Sequence, residues 1–566
     1  MLPIAYGHRL VSPPHIFFEA KFKMATSPVA PAFEETKGSA LDAKMANSKS
    51  GKIGVMVFAV ASVIGIGFVA SRLVADLSVV HATSVFPYVL LGIALFIALG
   101  FEFVNGFHDT ANAVATVIYT HSLEPHIAVV YSGVLNFIGV LMSSGAVAYS
   151  VIVLLPVELI LKVSSGAGFA MVFALLIAAI LWNLATWWRG LPASSSHTMI
   201  GSIIGVGVAN QIMQGNSGTA GVDWSQVTKV FSALFWSPVI GFGVAAILFL
   251  LLKLLLRDPR LYKAPEGAEP PPFYIRALLI LTCGGVSYAH GSNDGQKGMG
   301  LIMLILVGTV PTAYALNHAI SPKDTQTFIA VSTQAAETVS HYVQPTVTVG
   351  DASAELQNFI NTKKFTPPVM LALQTQITDI RNEVTLYGDL KGVPATQQAN
   401  VRNQMYLTSE SINLLAKAKG TPKMADADAK SLGNYRSKFL DVATKFIPTW
   451  VKVAVAIALG LGTMIGWKRI VVTVGEKIGK THMTYAQGAS AEIVTMVTIL
   501  CADKIGVPVS TTHILNSSVA GTMTANRSGL QFSTVRDIAL AWIFTLPAAA
   551  LLSGCLFFLF NKIAGH

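Results

Sequence analysis

The chain has 566 residues, 52% of them hydrophobic and only 12% charged, with a mean hydropathy of +0.58. An ordinary soluble domain carries about twice that share of charge, so a soluble enzyme and a disordered chain are both excluded, and long apolar runs in place of alternating segments exclude a strand-built pore. The net charge of +10 reads as the basic bias of membrane loops; no nucleic-acid module accompanies it, and no nucleic-acid partner is expected.

Residues 1–50 are a polar tail broken by Pro13, Pro14, Pro28 and Pro31, without the pattern of a signal peptide. Apolar segments follow near 52–73, 86–105, 127–150, 168–188, 199–213, 229–256, 275–290, 298–316, 448–467, 485–502, 514–525 and 536–560. They predict an all-α, polytopic membrane protein with about 10–12 transmembrane segments. Residues 51–256 form a first half, 257–274 a basic, Pro-rich linker, and 275–316 the start of a second half. A long polar insertion with helix-like stretches at 369–384 and 401–419 covers 317–447, and 448–566 completes the second half. The segments near 199–213, 275–290 and 514–525 are short and rich in Gly, Ser and Thr, the pattern of interrupted helices at a transport site. If every segment crosses once, the basic loops 253–276 and 468–482 fall on opposite faces. One short segment that enters and returns removes that conflict. Cys283, Cys501 and Cys555 lie in apolar stretches at unrelated spacing and read as core residues.

Two polar islands occur twice. Asn105-Gly106-Phe107-His108-Asp109-Thr110-Ala111-Asn112-Ala113 aligns with His290-Gly291-Ser292-Asn293-Asp294-Gly295-Gln296-Lys297-Gly298. Pro192-Ala193-Ser194-Ser195-Ser196-His197, continuing to Gly205, aligns without a gap with Pro508-Val509-Ser510-Thr511-Thr512-His513, continuing to Gly521. Such agreement marks a duplication. An Asp at the centre of a spanning helix costs about 2.5–3.5 kcal/mol on insertion scales, and the chain places Asp109 and Asp294 at matched positions. They read either as helix-end caps or as acids on broken helices lining a cavity, and the surrounding Gly and polar residues favour the cavity. Ser194 or Ser195, and Ser510 or Thr511, suit an N-cap. Either they only cap, or two helix N-termini and their hydroxyls form an oxyanion site; the pairing with the Asp islands favours the second. His197 and His513 read as structural histidines ahead of ligands. Glu492 and Glu102, acids in apolar stretches, either bind a coupling cation or pair with a lysine.

On these motifs, from about residue 86 to 560 apart from the insertion, the sequence resembles the inorganic phosphate transporter (Pit) family, and within it the bacterial low-affinity, proton-coupled branch. The resemblance implies two inverted repeats binding phosphate between them near the membrane midplane, a homodimer, and a multi-pass protein of the bacterial inner membrane. The family signature Gly-x-Asn-Asp-x-x-Asn is departed from twice: His108 replaces the first Asn of the first copy, and Lys297 the last Asn of the second. The departures put a sodium site in doubt, and His, which titrates near neutral pH, suits protons as the coupling ion. The expected mechanism is alternating access. Ser194, Ser195, Ser510, Thr511 and Thr512, with Asn112 and Asn293, supply donors to phosphate. Asp109 and Asp294, with His108 and Glu492, hold the coupling ion. No resident cofactor or metal is expected, although a divalent metal rides with phosphate as co-substrate.

An enzyme is not expected, since no His-Glu-x-x-His, Walker loop or Gly-x-Ser-x-Gly elbow occurs. The alternatives are a sulfate or other oxyanion permease on the same fold, and a phosphate-sensing receptor using residues 317–447 as its output domain.

Overall fold

The computed structural model describes residues 51–563 apart from 79–85, 110, 156–165, 216–221, 223, 266–268, 319 and 321; the polar tail 1–50 lies outside the described residues. The first half folds into α1 (Gly51–Ser78), α2 (Phe86–Asp109), α3 (Ala111–Tyr119), α4 (Pro125–Met142), α5 (Ala146–Ile152), α6 (Gly166–Trp188), α7 (Ser195–Met213) and α8 (Trp224–Leu255). The second half supplies α9 (Phe273–Thr309), and the insertion α10 (Pro322–Ser340), α11 (Ala352–Thr362), α12 (Pro368–Tyr387), α13 (Ala395–Leu415) and α14 (Asp426–Tyr435). The chain then resumes with α15 (Thr449–Met464), α16 (Tyr485–Ile505), α17 (Thr511–Ala525) and α18 (Phe532–Ile563).

Breaks fall where local chemistry puts them. Pro125 opens α4 in a position where no N–H partner is needed, and Gly145, at φ 87°, turns the chain between α4 and α5. The single apolar run at 127–150 is therefore two helices. Gly506, also left-handed at φ 73°, closes α16. By length and composition, six described helices could cross a membrane, or seven if the bent pair 426–444 and 449–464 is one span.

The second Asp island departs from expectation. Segments 275–290 and 298–316 are not separated: α9 runs unbroken for 37 residues through Asp294. In the first island, residue 110 lies outside the described residues, and helix is described on both sides of it, to Asp109 and from Ala111.

The halves interlock through exchanged pairs. α2 packs on α15 as α9 packs on α4; α7 packs on α18 as α17 packs on α8; α6 packs on α18 as α16 packs on α8. The repeated glycines explain how. A Cβ on Gly106 would lie 2.2 Å from the Leu459 carbonyl oxygen, and one on Gly291 2.1 Å from that of Asn136. Gly205 and Gly521 would meet the Ala550 and Phe242 carbonyl oxygens at 2.0 and 2.2 Å. Helices can approach so closely only where the side chain is a hydrogen.

The insertion is helical with an apolar face of its own: Leu356, Phe359, Leu373, Ile377, Ile380, Val401 and Met405 are all buried.

Candidate functional site

Both Pro-Ser islands act as helix starts. Ser194 is extended and its Oγ accepts from the His197 N–H at 3.2 Å, capping α7. Ser510 does the same for α17, accepting from the His513 N–H at 3.1 Å. Capping thus accounts for Ser194 and Ser510, and frees the next hydroxyls, in the first helical turn, to point elsewhere.

They point at the first aspartate. Asp109 is the last described residue of α2 and is buried. Its Oδ2 accepts from Ser195 Oγ at 2.7 Å, and its Oδ1 accepts from Thr512 Oγ1. One carboxylate is thus held by the leading turns of two short helices, one from each half. His108 Nδ1 lies 3.3 Å from Asp109 Oδ1, and its Nε2 lies 3.1 Å from Thr186 Oγ1 on α6.

The second aspartate sits in the middle of α9, fully buried. Lys297, one turn on, donates to Asp294 Oδ1 at 2.6 Å and to Ser196 Oγ. Asp294 Oδ2 has no hydrogen-bond partner and lies 3.7 Å from His290 Nδ1. His290 in turn meets Thr511 Oγ1 at 3.2 Å. Asn293 makes only a long contact, 3.5 Å from Nδ2 to the Val507 carbonyl, and its Oδ1 is unpaired. Ser292 donates to Asp503 at 2.8 Å, and Gln296 does so at 2.5 Å. These bonds give Ser292, Gln296 and Lys297 side-chain partners on neighbouring elements without opening the helix backbone, and α9 stays continuous.

Of the expected residues, Asp109, His108, Ser195 and Thr512 form one network, and Asp294 and Thr511 are linked through His290. Asn112 lies in α3, and its side chain is outside the described residues. Glu492, buried on α16, accepts from Thr282 of α9 and is also hydrogen-bonded by Thr116 of α3, so it meets hydroxyls and not a lysine. Glu102 is buried on α2 and accepts from Asn105 at 3.4 Å. It presses on α9 at Gly298, where a Cβ would come within 2.3 Å of its Oε1. The two matched histidines pair with each other: the His197 and His513 rings are 4.5 Å apart, and His513 stacks on Trp542 at 4.0 Å. They border a cavity of about 660 Å³ between α8 and α18, whose other walls are mainly apolar, among them Phe231, Leu234 and Phe242.

Sequence reasoning missed His290, Ser196, Thr186 and Asp503 as partners, and gave Lys297 no contact. His290 and Lys297 were findable, because positions four before and three after Asp294 share its helix face. Thr186 and Asp503 were not, since only packing brings α6 and α16 to the islands.

The arrangement offers hydroxyls and two helix N-termini, which favour an anion, beside two buried acids that each have a basic neighbour.

Residues 105–553 match the family described as the phosphate transporter family. The chain is 41% identical to the low-affinity inorganic phosphate transporter PitB of Escherichia coli K12 over 500 residues, covering 84% of this chain and 97% of that protein. PitA of the same organism is 42% identical over 496 residues, covering 83% of this chain and 96% of PitA. A probable low-affinity inorganic phosphate transporter of Bacillus subtilis is 28% identical, covering 82% of this chain and 96% of that protein. A solved structure, the sodium-dependent phosphate transporter, aligns with a TM-score of 0.46 at 20% identity, covering 84% of this chain and 100% of that one.

Proposed function

The chain belongs to the phosphate transporter family, and on that premise we propose that it is a secondary active symporter importing inorganic phosphate together with protons by alternating access. It is a multi-pass membrane protein. The observation that carries the reading is Asp109, whose carboxylate accepts from Ser195 of the first half and Thr512 of the second. A group gripped by both halves is where a change in their relative position is felt first.

Phosphate binds where the leading turns of α7 and α17 converge. Ser195, Thr511 and Thr512, now bonded to Asp109 and His290, turn their hydroxyls to its oxygens as it arrives. Asn112 and Asn293 add donors, and Ser194 and Ser510 keep the helix ends formed. A dry site tolerates little net charge, so a proton taken up at the His108–Asp109 pair compensates for the incoming anion. A divalent cation travelling with phosphate as a neutral complex serves the same balance. Glu492, buried against Thr282, is a second proton acceptor. The repeats are inverted, and the working unit is a homodimer; both follow the family resemblance, and the exchanged helix pairs support the first.

Sealed vesicles holding the purified protein test this. Labelled phosphate should accumulate when an inward proton gradient is imposed, with or without sodium. Uptake that requires sodium and ignores the pH gradient overturns proton coupling.

A further inference from the structure

We propose that Lys297 is a built-in cation: its ammonium permanently fills, beside Asp294, a position that would otherwise have to be loaded with a free monovalent cation. Only the Asp109 side then exchanges its ion with the medium. The inference rests on the phosphate-transport reading with protons as the coupling ion.

The geometry is that of an occupied ion site. The Lys297 Nζ lies 2.6 Å from Asp294 Oδ1, and both side chains are 0% exposed. It also donates to Ser196 Oγ, at the start of α7 in the other half. The ammonium is thus coordinated by oxygens from two elements, as a bound ion would be. Removing it leaves Asp294 Oδ1, Ser196 Oγ and the already unpaired Asp294 Oδ2. With Asn293 Oδ1, also unpaired and on the neighbouring residue, these are hard oxygen acceptors of the kind a small alkali cation takes.

The matched aspartates differ in the kind of base beside them. His108, 3.3 Å from Asp109, is an imidazole, whose ring nitrogens can each donate or accept a hydrogen bond. Lys297 is an amine in direct contact with a carboxylate on its own helix, one turn away. The repeat-equivalent of Lys297 is Asn112, which is uncharged. The asymmetry therefore assigns ion exchange to one half and fixed neutralisation to the other. Other titratable groups nearby are Glu102, packed on Gly298 of α9, His290, 3.7 Å from Asp294 Oδ2, and His197, within electrostatic reach of Lys297; none of them has a recorded contact with Asp294 Oδ1.

The test compares wild type with Lys297→Asn in sealed vesicles containing sodium, lithium or choline. Wild-type phosphate uptake should vary by no more than about two-fold among the three. The variant should fall about ten-fold or more in choline and regain most of that loss in sodium or lithium. In purified protein, sodium should raise the melting temperature of the variant and not of wild type, a readout that needs no transport. A variant that transports like wild type in choline, or a folded variant that neither transports nor is stabilised in any of the three salts, overturns the proposal. If Lys297→Asn does not reach the membrane, the neutral double variant Asp294→Asn/Lys297→Asn decides. Its return to wild-type abundance is expected, and its absence as well would overturn the proposal. A wild type that takes up no phosphate overturns the functional reading instead, and leaves the sodium-dependent melting shift to judge Lys297.

Discussion

Asp109 and Asp294 occupy equivalent places in a duplicated sequence yet have different surroundings. Asp109 is held by Ser195, Thr512 and His108; Asp294 is held by Lys297. In the proposed mechanism Asp109 takes the proton, so in Asp109→Asn pH-gradient-driven phosphate uptake should drop to background with the protein still in the membrane. Asp294→Asn should do the same by leaving the buried Lys297 without a counter-charge. Wild-type uptake by either variant refutes its role. Ser195→Ala and Thr512→Ala each delete one hydrogen bond to a carboxylate, worth about 1.5–3 kcal/mol. Initial uptake rates should fall roughly 10- to 100-fold in each, measured at equal protein abundance. The acids themselves were legible in the sequence, because a charge inside an apolar run is expensive and therefore conspicuous. Their partners were not: Ser195 is 86 positions from Asp109 and Thr512 is 403.

At the scale of the helix, apolar runs and their breakers located most elements to within a few residues. The run near 199–213 is α7, 514–525 is α17, and the helix-like stretches 369–384 and 401–419 fall on α12 and α13. The misreading was α9, where a polar island suggested a broken helix. Side chains of Asp503, Ser196 and Thr511 meet that island from neighbouring elements, and the helix has no need to open. Close helix contact gives a prediction here. Gly205→Val and Gly521→Val should each cut the amount of folded protein in the membrane sharply, because the added atoms would enter the Ala550 and Phe242 carbonyls. Gly243→Val, with open space around its Cα, should cost about 1 kcal/mol or less. Abundance by immunoblot and melting of the purified protein separate the cases. In the insertion, burial raises the Glu383 carboxyl above its usual value, and Asp379 one turn earlier adds to this. An acid with a raised folded pKa opposes folding above that pKa, and the cost vanishes as pH falls below its unfolded value. Glu383→Gln should therefore raise the protein's melting temperature at pH 7 and leave it unchanged near pH 3.

For the whole molecule, the exchanged helix pairs make each half a cover for the other, and the two short helices start where the Asp islands lie. Carboxylates as the charged acceptors favour an oxyanion that can itself keep a proton near neutral pH, as phosphate does and sulfate does not. A ten-fold excess of sulfate should lower labelled phosphate uptake by less than about half; equal competition would favour the broader oxyanion permease. The low charged share of the sequence determined a helical membrane protein, since so few charges cannot cover a chain of this length in water. The duplicated islands determined which acids matter and tied the chain to its family, because matched polar residues inside apolar segments persist only where something uses them. Tertiary structure alone decided that Asp109 joins both halves, that Lys297 reaches Ser196 at the start of α7, and that His197 and His513 face an apolar cavity. Those are relations between residues up to hundreds of positions apart, and local patterning carries no information about which distant helix faces meet.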